Sequence, residues 1–215
     1  MKKLVGGATI LTGLALAYVF FVPNEWKPIR LPDHQKRRLM VYFGVDYAKH
    51  YAGPNATNTE ISRARALQKQ DSYNVVQAMI SVGSGGLTGK GWKNGSQARL
   101  EFLPESSTDF IFAVFSEEFG LMGCVGLLTI YFVIFIRSIY IAIQAQDTFS
   151  RLLAGSLSFT FFIYLFVNVG MVTGILPVVG VPLPLVSYGG TSMVTLLIGF
   201  GILMSVHTHR KLLSS

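Results

Sequence analysis

The sequence contains little cysteine and little charge. Cys124 is its only cysteine, which excludes an intrachain disulfide and a metal site built from several cysteines. Charged residues make up 13% of the 215 residues, whereas 51% are hydrophobic. Long stretches that are almost free of charge alternate with one polar, basic stretch. This segregation is typical of a polytopic membrane protein and excludes an ordinary soluble domain.

Acidic residues are also scarce, 11 against 18 basic ones, so the formal net charge is +7. Most of the cations lie between Lys27 and Arg99. In a soluble protein this excess would suggest nucleic-acid binding. Beside apolar spans it favours an anionic membrane surface or a lipid-linked phosphate. We therefore expect no nucleic-acid partner.

Four apolar segments predict an all-α, polytopic membrane helix bundle, because about 20 apolar residues cross the hydrocarbon core. The first segment also fits a signal peptide, but it is longer than a usual signal and no small-residue cleavage site follows it, so a span is favoured. The four predicted spans cover residues 4–22, 110–136, 150–173 and 188–207.

The segments between the spans predict the topology of a single membrane domain, residues 1–215. Residues 23–108 form a large polar loop, and residues 174–187 form an apolar loop whose three prolines cannot share one straight helix. The short cationic segments lie on the side opposite the Pro-rich loop. The positive-inside rule therefore places the tail, residues 208–215, in the cytoplasm and both loops outside it.

Local patterns within the large loop predict short helices near residues 33–43, 59–69 and 73–82. The last of these runs into a Gly-rich stretch, residues 83–92, which contains Lys90. Such stretches can bind phosphate through backbone N–H groups. This one lacks the Ser or Thr that follows the lysine of a P-loop, and its spacing alone favours a turn at the membrane surface.

The acidic approach to the second span is the candidate functional site. Glu101, Glu105 and Asp109 precede the apolar segment, and Glu117 and Glu118 lie within it. Carboxylates in such positions usually face a cavity or a partner rather than lipid. By itself, the position of Asp109 is typical of a first-turn acid favoured by the helix dipole. The pair within the span is interpreted as partners for cations in a missing half of the fold.

Three motifs in sequential order resemble the SEDS family of RodA, FtsW and SpoVE proteins, and are most similar to the C-terminal half of its RodA branch. They are VGSGGLTGKGW, FLPESSTDFIFAVFSEEFGLMG and NVGMVTGILPVVGVPLPLVSYGGTS. The resemblance implies a peptidoglycan glycosyltransferase of the cytoplasmic (inner) membrane that polymerises lipid II on the periplasmic side. It also implies a role in cell elongation and rod shape, and a class B penicillin-binding protein as partner.

The resemblance also implies roles for individual residues. Asp109, in the TDF element, matches the family's essential aspartate, and Glu101 matches a functionally sensitive glutamate. Asp109 would take the proton from the acceptor sugar's 4-hydroxyl, and Lys90 and Arg99 are candidates to bind the departing pyrophosphate. A divalent cation, Mg²⁺ or Mn²⁺, is the candidate cofactor, with Glu105 and Asp109 as candidate ligands.

The chain departs from the family pattern in two ways. Ser107 stands where a histidine is common, and the family has ten spans whereas this sequence predicts four. We therefore expect a C-terminal fragment or split-gene product, with the N-terminal half of the fold as a partner. Two other functions stay open: transport of lipid II across the membrane, and an inactive remnant that acts only as a binding partner.

Overall fold

The computed structural model describes residues 33–45, 57–96 and 107–212. Within these ranges the regular elements are all helices, which confirms the predicted all-α class. The predicted first span, residues 4–22, lies outside the described residues. The five described helices are α1 (Asp33–Tyr42), α2 (Asn58–Ser84), α3 (Ile111–Ile143), α4 (Thr148–Val172) and α5 (Gly190–Leu212).

Three of these helices are long and apolar enough to cross a membrane: α3, α4 and residues Gly190–Thr208 of α5. Most side chains in them are not buried inside the protein, as expected where lipid rather than protein covers an apolar face. The helix α3 continues to Ile143, beyond the predicted end at residue 136. The described chain is therefore a polytopic membrane helix bundle.

Small buried side chains allow the spanning helices to approach one another. Ala113 on α3 and both Ala154 and Ser158 on α4 are completely buried. Lipid is as apolar as a leucine side chain, so close packing rather than water exclusion holds such helices together. Rings fill the wider gaps, as where Phe135 of α3 stacks on Phe162 of α4 with centroids 4.8 Å apart.

The helix α2 is one continuous element where the sequence predicted two shorter helices. It begins after Thr57, whose backbone N–H donates to the Glu60 carboxylate at 3.0 Å, as in a capping box. The helix then runs for 27 residues to Ser84. Its second half packs against α3 and α4, so that the Gly-rich stretch begins beside α3.

The connection between α3 and α4 is short and is closed by a helix cap. Asp147 precedes α4 and accepts a hydrogen bond from the Ser150 backbone N–H at 2.9 Å. This hydrogen bond lowers the pKa of Asp147. Arg137 and Arg151 flank this turn, at the end of the bundle opposite Asp109.

Candidate functional site

The turn that carries Asp109 is held in place by the Pro-rich loop. It comprises residues 107–110 and leads directly into α3. The Ser187 hydroxyl donates to the Thr108 carbonyl oxygen at 2.6 Å, and the Tyr188 N–H donates to the Ser107 carbonyl oxygen at 3.0 Å. Two segments about 80 residues apart in sequence thus form one end of the bundle.

Asn168 of α4 ties both segments to the bundle. Its side chain is completely buried, and its amide nitrogen donates to the Asp109 carbonyl oxygen at 2.9 Å and to the Val181 carbonyl oxygen at 2.7 Å. The two N–H groups of a single amide therefore fix Asp109 and the Pro-rich loop at the same point. This fixes the backbone of Asp109 without involving its carboxylate.

The Pro-rich loop is held in place by hydrogen bonds and by buried side chains. Proline lacks an N–H group, and the carbonyl oxygen of Pro184 accepts a hydrogen bond from the hydroxyl of Tyr131 on α3. The Leu183 N–H donates to the Ser187 hydroxyl oxygen at 2.7 Å, and Leu183 and Pro184 are buried. Irregular backbone of this kind is tolerated near a membrane only where protein or a cavity surrounds it.

Arg38 of α1 reaches the same point as the Asp109 carboxylate. A Cβ atom added to Gly180 would lie 3.2 Å from Arg38 Nη1 and 3.2 Å from Asp109 Oδ2. The two atoms are therefore separated by at most twice that distance. Gly180 has a φ of +82°, a conformation that glycine adopts without strain, and its missing side chain leaves room for the cation and the carboxylate.

A cavity of about 450 Å³, lined by polar and apolar side chains, includes Arg38 and Phe110, the residue that follows Asp109. Phe110 and the start of the Pro-rich loop form its apolar side. Arg37 and Arg38 supply positive charge to this cavity, and Gln70, Ser72 and Asn74 supply hydrogen-bonding side chains. The cavity can therefore hold an anionic, hydroxyl-bearing group. Its polar lining consists of Arg37, Arg38, Tyr42, Gln70, Ser72 and Asn74.

A second feature, the Gly-rich segment (residues 85–96), fills a break in α3. The break is at Gly120, whose φ of 63° and ψ of −165° are not helical. On one side of it the Lys90 and Gly91 N–H groups donate to the Glu117 and Glu118 carbonyl oxygens at 3.0 and 2.9 Å. On the other side the Leu121 and Met122 N–H groups donate to the Gly86 and Leu87 carbonyl oxygens at 2.9 and 3.1 Å. The segment thus satisfies backbone groups that the broken helix leaves unpaired.

An ion pair between Lys90 and Glu117 lies at this break. Lys90 Nζ lies 2.6 Å from Glu117 Oε1, and the Glu117 side chain has no exposed surface. The same oxygen accepts hydrogen bonds from the Ser96 N–H at 2.8 Å and the Ser96 hydroxyl at 2.7 Å. The cation that Glu117 requires is therefore supplied by this chain and not by another part of the fold.

The described residues among the predicted site residues do not all lie together in the structure. Asp109 comes directly before Phe110, which lines the cavity. Lys90 instead pairs with Glu117, which is eight residues after Asp109, or about 12 Å at the 1.5 Å rise of a helix. Glu101, Arg99 and Glu105 lie outside the described residues. Arg38 was missed, because its basic segment was interpreted as an interfacial or a solvated helix and it is 71 residues from Asp109 in sequence. Within the described ranges, no group of three or more His, Cys, Asp or Glu side chains is placed to hold a metal ion.

Comparison with known proteins supports one family. The model of the family of FtsW, RodA and SpoVE, described as cell cycle proteins, matches residues 5–212. The chain is 46% identical over 212 residues to the peptidoglycan glycosyltransferase MrdB of Escherichia coli K12, covering 99% of this chain and 50% of that protein. It is 41% identical over 138 residues to the peptidoglycan glycosyltransferase RodA of Treponema pallidum, covering 64% and 32%.

A solved structure has the same fold. It is a chain of a peptidoglycan synthase complex that coordinates polymerisation and crosslinking, with a TM-score of 0.63 and 24% identity, covering 97% of this chain and 49% of that one. The chain spans about half the length of the curated relatives that it matches most fully.

Proposed function

Because this chain belongs to the family of FtsW, RodA and SpoVE proteins, we propose that it works in peptidoglycan glycosyl transfer of the RodA type, polymerising lipid II for cell elongation and rod shape. The names of its relatives support this activity. The observation that carries the proposal is the approach of Asp109 Oδ2 and Arg38 Nη1 to the same point beside Gly180, with Arg38 also lining the cavity.

In the proposed reaction, Asp109 is the general base. The 4-hydroxyl oxygen of the acceptor sugar attacks the donor's anomeric carbon, the bond from that carbon to the lipid pyrophosphate breaks, and the pyrophosphate leaves with the electron pair. Asp109 takes the hydroxyl proton as the new glycosidic bond forms. Arg38 supplies positive charge close to the position where the departing pyrophosphate gains negative charge. Arg99 and Glu101 keep their proposed roles in substrate binding.

A divalent cation, Mg²⁺ or Mn²⁺, is part of this proposal. The Asp109 carboxylate, next to the cavity-lining Phe110, is a hard oxygen donor of the kind that such an ion binds. When bound, the ion would add positive charge near the departing pyrophosphate. The proposed ligands are Asp109 and Glu105.

The proposed partners follow from the relatives. The related chain of known structure was solved in a complex that coordinates polymerisation with crosslinking, which supports a class B penicillin-binding protein as the partner that crosslinks the product. The N-terminal half of the family fold is the second proposed partner, supplied as a separate polypeptide. The proposed location is the inner membrane, with the Asp109 end facing the periplasm.

The experiment that tests this function compares two isosteric changes. Asp109→Asn removes the proposed base without a change in shape, so we expect glycan-strand formation from labelled lipid II to fall about 100- to 10,000-fold. Asp147→Asn makes the same change at the opposite end of the bundle and should leave the rate unchanged, because asparagine also caps helices. The assay contains the penicillin-binding partner and the N-terminal half of the MrdB relative. Full activity of Asp109→Asn would exclude the proposed base.

A second candidate function, lipid II transport, is favoured by the break in α3 at Gly120. Broken helices beside a polar cavity are typical of transporters. The same Asp109→Asn protein separates the two functions in vesicles that contain labelled lipid II. A transporter would continue to move the lipid across the membrane although no glycan strand forms.

A further inference from the structure

The ion pair between Lys90 and Glu117 has a closed set of partners. Besides Glu117 Oε1 at 2.6 Å, the Lys90 ammonium donates to the Ser84 hydroxyl oxygen at 3.0 Å and to the Ser96 hydroxyl oxygen at 3.1 Å. An ammonium has three N–H donors and no acceptor, so these three acceptors account for all of them. Lys90 must therefore give up a contact in order to bind a substrate phosphate.

These partners come from three different segments of the chain. Glu117 precedes Gly120 on α3, Ser84 ends α2, and Ser96 ends the Gly-rich segment. The backbone of that segment approaches α3 so closely that a Cβ atom on Gly89 would lie 2.1 Å from the Glu118 carbonyl oxygen. The ion pair thus joins three segments where α3 changes direction.

The part of α3 before the break, residues 111–119, is called the half-helix here and begins two residues after Asp109. Its direction is set at the break, because regular helix geometry is interrupted only there. Lys90 is about 12 Å from Asp109 along the helix axis, far beyond the roughly 3 Å of a hydrogen bond. An effect of Lys90 on Asp109 must therefore pass through this half-helix.

We infer that the Lys90–Glu117 ion pair is a positioning device, which holds the Gly-rich segment in the break of α3 and so sets the direction of the half-helix that begins at Asp109. The role of the ion pair in setting this direction does not depend on the proposed function. Only the consequence, a correctly placed general base at Asp109, rests on that proposal. Neither residue contacts the substrate in this arrangement. Removal of one partner alone, which leaves the opposite charge at the break without this counter-ion, therefore lowers kcat for glycan formation and leaves the KM for lipid II nearly unchanged.

The test uses charge removal one residue at a time and then together. Lys90→Met removes the cation beside the buried Glu117 carboxylate, and Glu117→Gln removes the anion beside the Lys90 ammonium. The double variant K90M/E117Q contains neither charge, and the glutamine oxygen still accepts from Ser96. We expect each single variant to lose at least about 10-fold in kcat and the double variant to recover most of that loss, as coupled partners do. Glu118→Gln, the same change at the next residue, is the matched control and should behave as wild type.

Cys124 supplies a readout that is independent of activity. The residue is only 8% exposed, and its thiol donates to the Ser116 hydroxyl oxygen at 3.2 Å, across the break. We expect N-ethylmaleimide to modify Cys124 at least about 10-fold faster in each single variant, and at nearly the wild-type rate in the double variant. Equal rates in all variants would overturn the inference, whether or not the wild-type protein polymerises lipid II. If the wild type makes no glycan strands but the thiol rates follow this pattern, the proposed function fails and the positioning role stands.

Direct binding of pyrophosphate by Lys90 predicts a different result. The double variant would then be as inactive as Lys90→Met, with a raised KM for lipid II and an unchanged rate of Cys124 modification, and this outcome would overturn the inference. If a single variant is not produced in the membrane, Lys90→Arg is used in its place. It keeps the positive charge and changes only the geometry of the ion pair. A lower kcat at unchanged KM is expected for Lys90→Arg, and an unchanged kcat contradicts the positioning role.

Discussion

At the scale of single residues, the site depends on a cation and a carboxylate that are distant in sequence. Arg38 and Asp109 approach each other because Gly180 has no side chain between them. Arg38 sits on α1 and also lines the cavity. The sequence gives no sign of this contact, since nothing in the basic stretch distinguishes Arg38 from its neighbours. Only the path of the Pro-rich loop between them brings the two residues together.

We predict that Arg38→Gln weakens the binding of lipid II. A hydrogen bond to a charged group contributes about 1.5–3 kcal/mol, so the KM should rise roughly 10- to 100-fold. Arg63→Gln, which removes an exposed cation near the start of α2, is the control for net charge. Steady-state kinetics at two salt concentrations measure both. A KM equal to that of Arg63→Gln would remove Arg38 from the substrate site.

Substitution of Asn168 should destabilise both segments that it holds, the turn with Asp109 and the Pro-rich loop. Asn168→Leu keeps the approximate volume but leaves the carbonyl groups of Asp109 and Val181 without their donors. Each buried unsatisfied carbonyl costs about 1–3 kcal/mol, so we expect a clearly lower melting temperature in detergent and slower glycan formation. Ser158→Ala, also fully buried on α4, should be nearly neutral, because the Ser158 hydroxyl bonds only to its own helix. Equal melting temperatures for the two variants would contradict this role.

At the scale of elements, the Gly-rich segment is where sequence and structure differ most. Its composition favours a surface turn, and a Gly-rich stretch with one lysine also fits a phosphate loop. In the structure its backbone completes the hydrogen bonding of α3 on both sides of Gly120. A glycine in an apolar span is common, so Gly120 alone does not predict a break. The local sequence pattern of the Gly-rich segment does not predict that it packs against α3, and neither does the pattern of α3.

The close packing of the Gly-rich segment against α3 predicts that alanine lowers stability by different amounts at two of its glycines. Gly86 and Gly89 both have positive φ, 58° and 81°, so alanine is strained at either position. At Gly86 the added Cβ meets nothing within 4 Å, whereas at Gly89 it would lie 2.1 Å from a backbone oxygen. We expect Gly89→Ala to be less stable than Gly86→Ala by a further amount of about 1–3 kcal/mol. Thermal unfolding in detergent measures both, and equal losses would mean that the segment is not packed against α3.

At the scale of the whole molecule, hydropathy predicts much of the architecture and little of the site. The segments 110–136, 150–173 and 188–207 correspond to α3, α4 and α5, because the bilayer demands long apolar helices. The continuity of α2 was not predicted, since its first half is polar and has no apolar face that repeats with the helical period. The cavity could not be predicted either, because its walls come from α1, α2 and the Pro-rich loop, which meet only after the bundle has formed.

The orientation of the bundle gives the last prediction. Arg137 and Arg151 flank the α3–α4 turn, whereas the α4–α5 loop, residues 174–189, contains no lysine or arginine. The positive-inside rule therefore places that turn in the cytoplasm and the Pro-rich loop, with Asp109, on the periplasmic side. Val179→Cys and Thr148→Cys report the two ends, because both positions are exposed. Cys124→Ser removes the native thiol and keeps a donor to Ser116.

In intact spheroplasts, a membrane-impermeant maleimide should label Val179→Cys and should label Thr148→Cys only after the membrane is permeabilised. The single-cysteine proteins serve as controls for each other, since both must react fully in detergent. The opposite pattern would place Asp109 at the cytoplasmic face. A polymerase that builds glycan strands outside the cytoplasmic membrane needs its base on the outer side, so that pattern would also rule out the proposed reaction at this site.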